Sequence, residues 1–308
     1  MASLPDRKAG IARTPGAHVS EYRDCFWQSR DGLELHYRDY AGPDLPGGAD
    51  RPVVLCLHGL TRNARDFAAL AEALAGQWRV IVPDLRGRGD SGYAKDSATY
   101  NPLQYVEDLG ELFAQAGIGR FVAVGTSLGG LLTLIMAMAG EQRIAGAVIN
   151  DVGPVLEPQG LARIGDYVGQ ARSFPTWMHA ARGLQETQGP AFPDFAIDDW
   201  LAMAKRVMTL SSNGRIVFDY DMKIAEPFQK LDPQAQVDLW PGVEALAGKP
   251  VLVVRGALSD LFSAATLSEM QRRLPGAEAL VLPRVGHAPT LDEPEARAAI
   301  ARLLAKFA

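Results

Sequence analysis

The chain has 308 residues, 47% of them hydrophobic and 22% charged, with a formal net charge of −5. That is the make-up of a soluble globular protein, and it gives no electrostatic reason to expect nucleic acid or an anionic membrane as a partner. Its two cysteines, Cys25 and Cys56, have no Cys/His cluster around them, so we expect no disulfide framework, no metal and a reducing, cytoplasmic setting.

Residues 1–20 carry no periodicity and no apolar signal core, and read as a loose N-terminal arm. Residues 24–29 and 33–40, joined through Arg30-Asp31-Gly32, read as a β-hairpin. After a Gly- and Pro-rich loop, 53–57 is an uninterrupted β run, as expected of a strand covered on both faces. It ends in His58-Gly59-Leu60-Thr61-Arg62. A helix over 64–75, a strand over 79–82 and a Gly-rich turn over 83–92 follow. Next come a helix over 103–116, a strand over 121–124, an apolar helix over 128–139 and a strand over 144–150. That apolar helix is too short to span a bilayer. The alternation is the signature of a parallel α/β sheet. It breaks after Asp151, and 154–238 shows helical patterns, aromatics and loops. It resumes with strands at 251–255 and 279–282 and helices at 264–274 and 294–307. The chain therefore reads as one α/β domain, 21–153 and 239–308, with a helical cap inserted at 154–238.

The chemistry centres on Gly125-Thr126-Ser127-Leu128-Gly129, a G-x-S-x-G pattern between a strand and a helix. A sharp strand-to-helix turn exposes the serine oxygen and aims the first N–H groups of the helix at a developing oxyanion. A serine hydroxyl needs a base, almost always histidine, and an acid to orient that base. Of the five histidines, His287 is preferred, because it leaves the carboxyl end of a strand, the edge where such sheets hold ligands. His18 falls in the arm, His36 inside a strand and His179 in the insertion; His58 is expected to hold its own loop. Two aspartates follow strands and precede His287. Asp260 is the preferred acid and Asp151 the rival, with a buried turn or pocket role as the other reading of Asp151. The oxyanion donors are expected to be the N–H groups of Leu128 and Leu60. Gly87-Arg88-Gly89-Asp90-Ser91-Gly92 spells G-x-G-x-x-G, but no helix opens after it to receive a pyrophosphate. It reads instead as a rigid turn pinned by Asp84 and Arg86, and no cofactor is expected.

These pieces together resemble the α/β-hydrolase superfamily over nearly the whole chain, about residues 27–307. The matching motifs are Leu57-His58-Gly59, the turn from Asp84 to Ser91, the serine pentapeptide, Arg255-Gly256 through Asp260, and Gly286-His287. Residues 150–154 and 219–224 resemble a bacterial branch of serine-type members with a helical cap. The resemblance implies a mostly parallel twisted sheet with helices on both faces. It also implies Ser127 as nucleophile, Asp260 as acid and His287 as base. Dehalogenases and most epoxide hydrolases of the superfamily use an aspartate where this chain has Ser127.

The expected activity is hydrolysis of a small to medium carboxylic ester or lactone through an acyl-enzyme, by a monomer or homodimer. His58, Asp151, Trp177, Met178, Trp200, Met203 and Met208 are candidate pocket residues, the last five forming an apolar roof. Arg172, Arg182 and Lys223 are candidate carboxylate binders, weighed against a solvated face. The alternatives are a carbon–carbon bond hydrolase of meta-cleavage products, an acyl transferase, or a non-catalytic ligand receptor.

Overall fold

The computed structural model describes residues 22–43, 51–230 and 237–308. The expected arm over 1–20, His18 included, lies outside them. The chain opens with the antiparallel pair β1 (Tyr22–Gln28) and β2 (Glu34–Tyr40). The alternating part then runs β3 (Val53–Leu57), α1 (Ala68–Leu74), β4 (Val80–Pro83), α2 (Pro102–Gln115), β5 (Phe121–Thr126), α3 (Leu128–Met138) and β6 (Ile144–Asn150). A single insertion follows. It holds α4 (Pro158–Tyr167), β7 (Ser173–Phe174), α5 (Trp177–Gln188), α6 (Ile197–Val207), β8 (Met208–Leu210), β9 (Ile216–Phe218) and α7 (Ala225–Gln229). The chain closes with α8 (Trp240–Glu244), β10 (Val251–Gly256), α9 (Ala264–Arg273), β11 (Glu278–Leu282) and α10 (Pro294–Leu304).

The eight-stranded sheet has the order β1-β2-β4-β3-β5-β6-β10-β11 and is parallel from β4 onward. The period-two alternation of side chains puts residues on both covered faces, which explains why its central strands are apolar along nearly all their length. On one face, Leu55, Leu57, Ala123, Ile149 and Val253 pack beneath Leu109 and Phe113 of α2, Leu132 of α3 and Met270 of α9. On the other, Val54, Cys56, Val122, Val124, Val148 and Val254 pack against Leu70 of α1 and Ile300 and Leu303 of α10.

From β3 the chain steps outward to β4, then crosses back to pair β5 on the other side of β3. The loops after β3 and β5 therefore leave adjacent strands in opposite directions. That reversal is where an open α/β sheet leaves a crevice for a ligand.

The insertion is not purely helical. β7, β9 and β8 form a small antiparallel sheet against α5 and α6. It has its own apolar core, with Phe174, Leu184, Phe192, Trp200, Met203 and Met208 among the buried members. Among the described residues, no helix is long and apolar enough to cross a membrane.

Candidate active site

Ser127 stands alone between β5 and α3 with φ 53° and ψ −116°. A side-chain-bearing residue at positive φ costs roughly 1–3 kcal/mol and survives only where its surroundings over-determine it. Here they do. The Ser127 N–H donates to Asn150 O at 2.9 Å, and the N–H groups of Gly130 and Leu131 donate to Ser127 O at 2.9 and 3.1 Å. Two glycines permit the turn: a Cβ on Gly125 would run into Gly129 O, and one on Gly129 into Leu57 O. Asn150 ties the site together, its Nδ2 donating at 2.9 Å both to Thr126 Oγ1 and to Pro289 O beside His287.

His287 meets the serine, with Nε2 3.0 Å from Ser127 Oγ. Its Nδ1 lies 2.8 Å from Asp151 Oδ2. Asp151 is fully buried at the end of β6 with φ 55°, and its carboxylate can only accept hydrogen bonds. It accepts from Gly256 N–H at 2.7 Å and from the Ser259 hydroxyl at 2.7 Å as well as from His287. The proton between them therefore sits on His287 Nδ1, which leaves Nε2 free to accept from the Ser127 hydroxyl.

The preference for Asp260 is corrected by this geometry. Asp260 makes no hydrogen bond to His287; it is a bidentate partner of Arg163 on α4, with 2.8 Å to Nη2. The guanidinium holds the Asp260 carboxyl below the usual carboxylate range. A Cβ on Gly160 of α4 would come within 2.7 Å of Asp260 O. The loop after β10 thus serves as a docking point for the insertion.

His58 is fully buried and does not line the cleft that holds Ser127 and His287, which corrects its place among the pocket residues. Its Nδ1–H donates to Gly59 O at 2.8 Å, and its Nε2 accepts from Leu85 N–H at 3.1 Å. Desolvation lowers its pKa to about 4, so the ring is neutral near pH 7. Gly59 O also accepts from Arg62 N–H at 3.2 Å. In a planar trans peptide the N–H points opposite to the carbonyl, so pinning Gly59 O fixes where Leu60 N–H points. Arg88 fixes the next peptide, its Nε donating to Leu60 O at 2.9 Å. Among the described residues, the N–H groups of Leu60 and Leu128 have no hydrogen-bond acceptor. Gly59 packs on the serine, its missing Cβ 3.7 Å from Ser127 Cβ.

Ser127 and His287 open into a cleft of about 740 Å³, solvent mouth included. Its floor includes Leu60, Phe67 and Thr126, and the insertion contributes Ile164, Tyr167, Gln188, Phe192 and Arg206. None of the five expected roof residues lines it. Trp200, Met203 and Met208 fill the insertion's own core, Trp177 packs at the edge of that core, and Met178 is exposed. Asp151 lies behind His287 and does not reach the cleft. Nor do Arg172, Arg182 and Lys223. The polar lining that sequence reasoning missed includes Arg62, Asp66, Tyr167 and Arg206. Arg62 was within reach of that reasoning, two residues beyond the expected oxyanion donor; Arg206, in the last turn of an amphipathic helix, gave no signal.

The Gly-rich turn behaves as its sequence suggests. Asp84 accepts from the N–H groups of Ala64 and Asp90 at 2.6 and 3.1 Å, and Arg86 is bidentate to Asp108. Among the described residues, one His/Asp group has metal-like spacing, His36, Asp84 and Asp90. Both His36 nitrogens are already bonded, to Asp84 at 2.8 Å and to Asp24 at 3.0 Å.

Residues 54–300 match the alpha/beta hydrolase family. A 3-hydroxybutyrate-oligomer hydrolase of Cupriavidus necator is 37% identical over 267 residues, covering 84% of this chain and 89% of that protein. A pimeloyl-[acyl-carrier protein] methyl ester esterase of Vibrio campbellii is 27% identical, covering 85% of this chain and 94% of that one. The crystal structure of an alpha/beta hydrolase from Novosphingobium aromaticivorans superposes with a TM-score of 0.88 at 60% identity, covering 93% and 99% of the two chains.

Proposed function

The chain belongs to the alpha/beta hydrolase family, and on that premise we propose that it is a serine hydrolase of small to medium carboxylic esters or lactones. The observation that carries this reading is the continuous relay from Ser127 Oγ through His287 to Asp151, with links of 3.0 and 2.8 Å. In the proposed cycle His287 Nε2 takes the Ser127 proton as the oxygen attacks the carbonyl carbon. The oxyanion is received by the N–H groups of Leu60 and Leu128, each worth roughly 3 kcal/mol in such sites. His287 then gives the proton to the departing alcohol. Water, deprotonated by the same nitrogen, releases the acid from Ser127. Asp151 holds the tautomer and stabilises the imidazolium without itself taking the proton.

The insertion acts as the cap, with its cleft-lining residues selecting the substrate. The relatives' names favour ester cleavage over carbon–carbon cleavage. Two of them, a hydrolase of 3-hydroxybutyrate oligomers and an esterase of a pimeloyl methyl ester, point to aliphatic esters. Two free cysteines suit a cytoplasmic setting. Fluorophosphonate labelling tests the reading: wild type should label at Ser127 and Ser127→Ala should not. A panel of p-nitrophenyl esters, aliphatic lactones and a coloured dienoate, with products identified, separates hydrolysis from acyl transfer and from carbon–carbon cleavage. Labelling that persists in Ser127→Ala would remove the assignment.

A further inference from the structure

We infer that the cleft contains a carboxylate subsite built from Arg206 and Arg62, so that the ester it takes carries a free carboxylate; this rests on the hydrolase reading above.

Two arginines line the cleft that holds Ser127 and His287, one from each part of the molecule. Arg206 comes from the last turn of α6 in the insertion. Arg62 comes from the loop after β3, and its Cγ and Ser127 Cβ press on the same face of Gly59, 3.4 and 3.7 Å from where a Cβ would stand. That places the Arg62 stem beside the nucleophile.

Both side chains have donors to spare. Arg62 spends Nε on Asp66 at 2.7 Å, and among the described residues its Nη groups donate to nothing. Arg206 spends Nη2 on Asp292 at 2.5 Å and keeps Nε and Nη1 in the same condition. Arg206 does not have its carboxylate to itself. Asp292 is shared with Arg297, whose Nη2 is 2.7 Å from its other oxygen. Within these ion pairs three arginines share two carboxylates, Asp66 and Asp292; the nearby Glu293 carboxylate is spent on the backbone N–H and hydroxyl of Thr290 and pairs with none of them. The Arg62 and Arg206 side chains are only 22% and 26% exposed, so much of their hydration is already gone. Half-desolvated guanidiniums with free, forked donors favour a planar anion. A carboxylate fits, and a hydroxyacid ester places one a few bonds from the scissile carbonyl.

The test compares a 3-acyloxybutanoate with its neutral amide. Wild type should show a kcat/KM at least tenfold higher for the acid, a preference that shrinks in about 0.5 M NaCl. The acid-to-amide ratio should fall about ten- to a hundredfold in Arg206→Gln and in Arg62→Gln, and less in Arg206→Lys. Arg62→Gln sits on the core and keeps the test decisive if Arg206→Gln loosens the insertion. Calorimetric binding of the same two compounds to Ser127→Ala reads the subsite without turnover. Binding of the acid but not the amide, with no ester hydrolysed by wild type, would keep the subsite and remove the hydrolase. Hydrolysis with a ratio near one, or a ratio unchanged in both variants, would keep the hydrolase and remove the subsite.

Discussion

Two aspartates compete for one role, and replacing each by asparagine separates them. At Asp151 the outcome follows from its partners. Gly256 N–H, 2.7 Å away, can only donate, so the oxygen of the introduced amide must face it. The amide NH₂ then faces Ser259 and His287. It donates to His287 Nδ1 and drives the ring proton to Nε2, which now points an N–H at Ser127 and cannot take its proton. Loss of that tautomer costs on the order of 10⁴-fold in kcat, or about 5.5 kcal/mol of barrier. Asparagine tolerates the φ of 55° at this position, so the fold should survive. At Asp260 the change breaks one ion pair with Arg163 whose members are 30% and 31% exposed. Such a pair is worth at most about 1 kcal/mol, and turnover should stay within about fivefold. Stopped-flow and steady-state rates on p-nitrophenyl butyrate, with circular dichroism as a folding control, decide the matter. An Asp151→Asn enzyme within tenfold of wild type, or a collapse in Asp260→Asn, would refute the relay drawn here.

Ser127→Ala should fold with an unchanged melting temperature and lose p-nitrophenyl ester turnover by at least 10⁴-fold, since alanine fits the same turn; retained turnover counts against Ser127. Gly129→Ala should fail to accumulate as folded protein, because its Cβ meets the backbone carbonyl of Leu57; normal expression and melting would contradict the packing described. Arg88→Met releases the Leu60 carbonyl and should lower kcat about 10- to 100-fold with little change in KM; an unchanged kcat would show the loop holds without it. His58 gives a pH dependence. Its folded pKa, about 4, lies below the unfolded value near 6.5, so the unfolded chain binds the extra proton between the two. Its contribution is complete above pH 6.5 and is lost as pH falls toward 4, a difference on the order of 3 kcal/mol. His36, raised by Asp84, titrates in the opposite sense, so the difference between wild type and His58→Gln isolates the effect. Urea midpoints should diverge least at pH 4 and most above pH 7; a constant gap would reject the buried neutral ring.

The sheet was legible because its strands are buried on both faces. Val53–Leu57 is an uninterrupted apolar run and Ile144–Asn150 is apolar or glycine up to its last residue, and their expected and observed limits coincide. The serine turn was legible because steric exclusion writes its glycines into the sequence. The choice of acid was not. Asp151 and Asp260 each follow a strand, and what separates them is the convergence of Gly256, Ser259 and His287, 105 to 136 residues away, on one carboxylate. The roof was misread because a segment with its own core turns its largest apolar residues inward, so Trp200 and Met203 mark packing and not the cleft. The three insertion strands, two or three residues long, are too short for alternation to register.

The turn after β10 serves both parts of the molecule: Ser259 donates to the Asp151 carboxylate behind His287, and Asp260, next in the chain, grips α4 through Arg163. In the proposed relay, steering the proton and fastening the insertion therefore fall to separate acids, Asp151 and Asp260. Because Ser259 and Asp260 are neighbours, a displacement of α4 would be felt one residue from the hydroxyl that steadies Asp151.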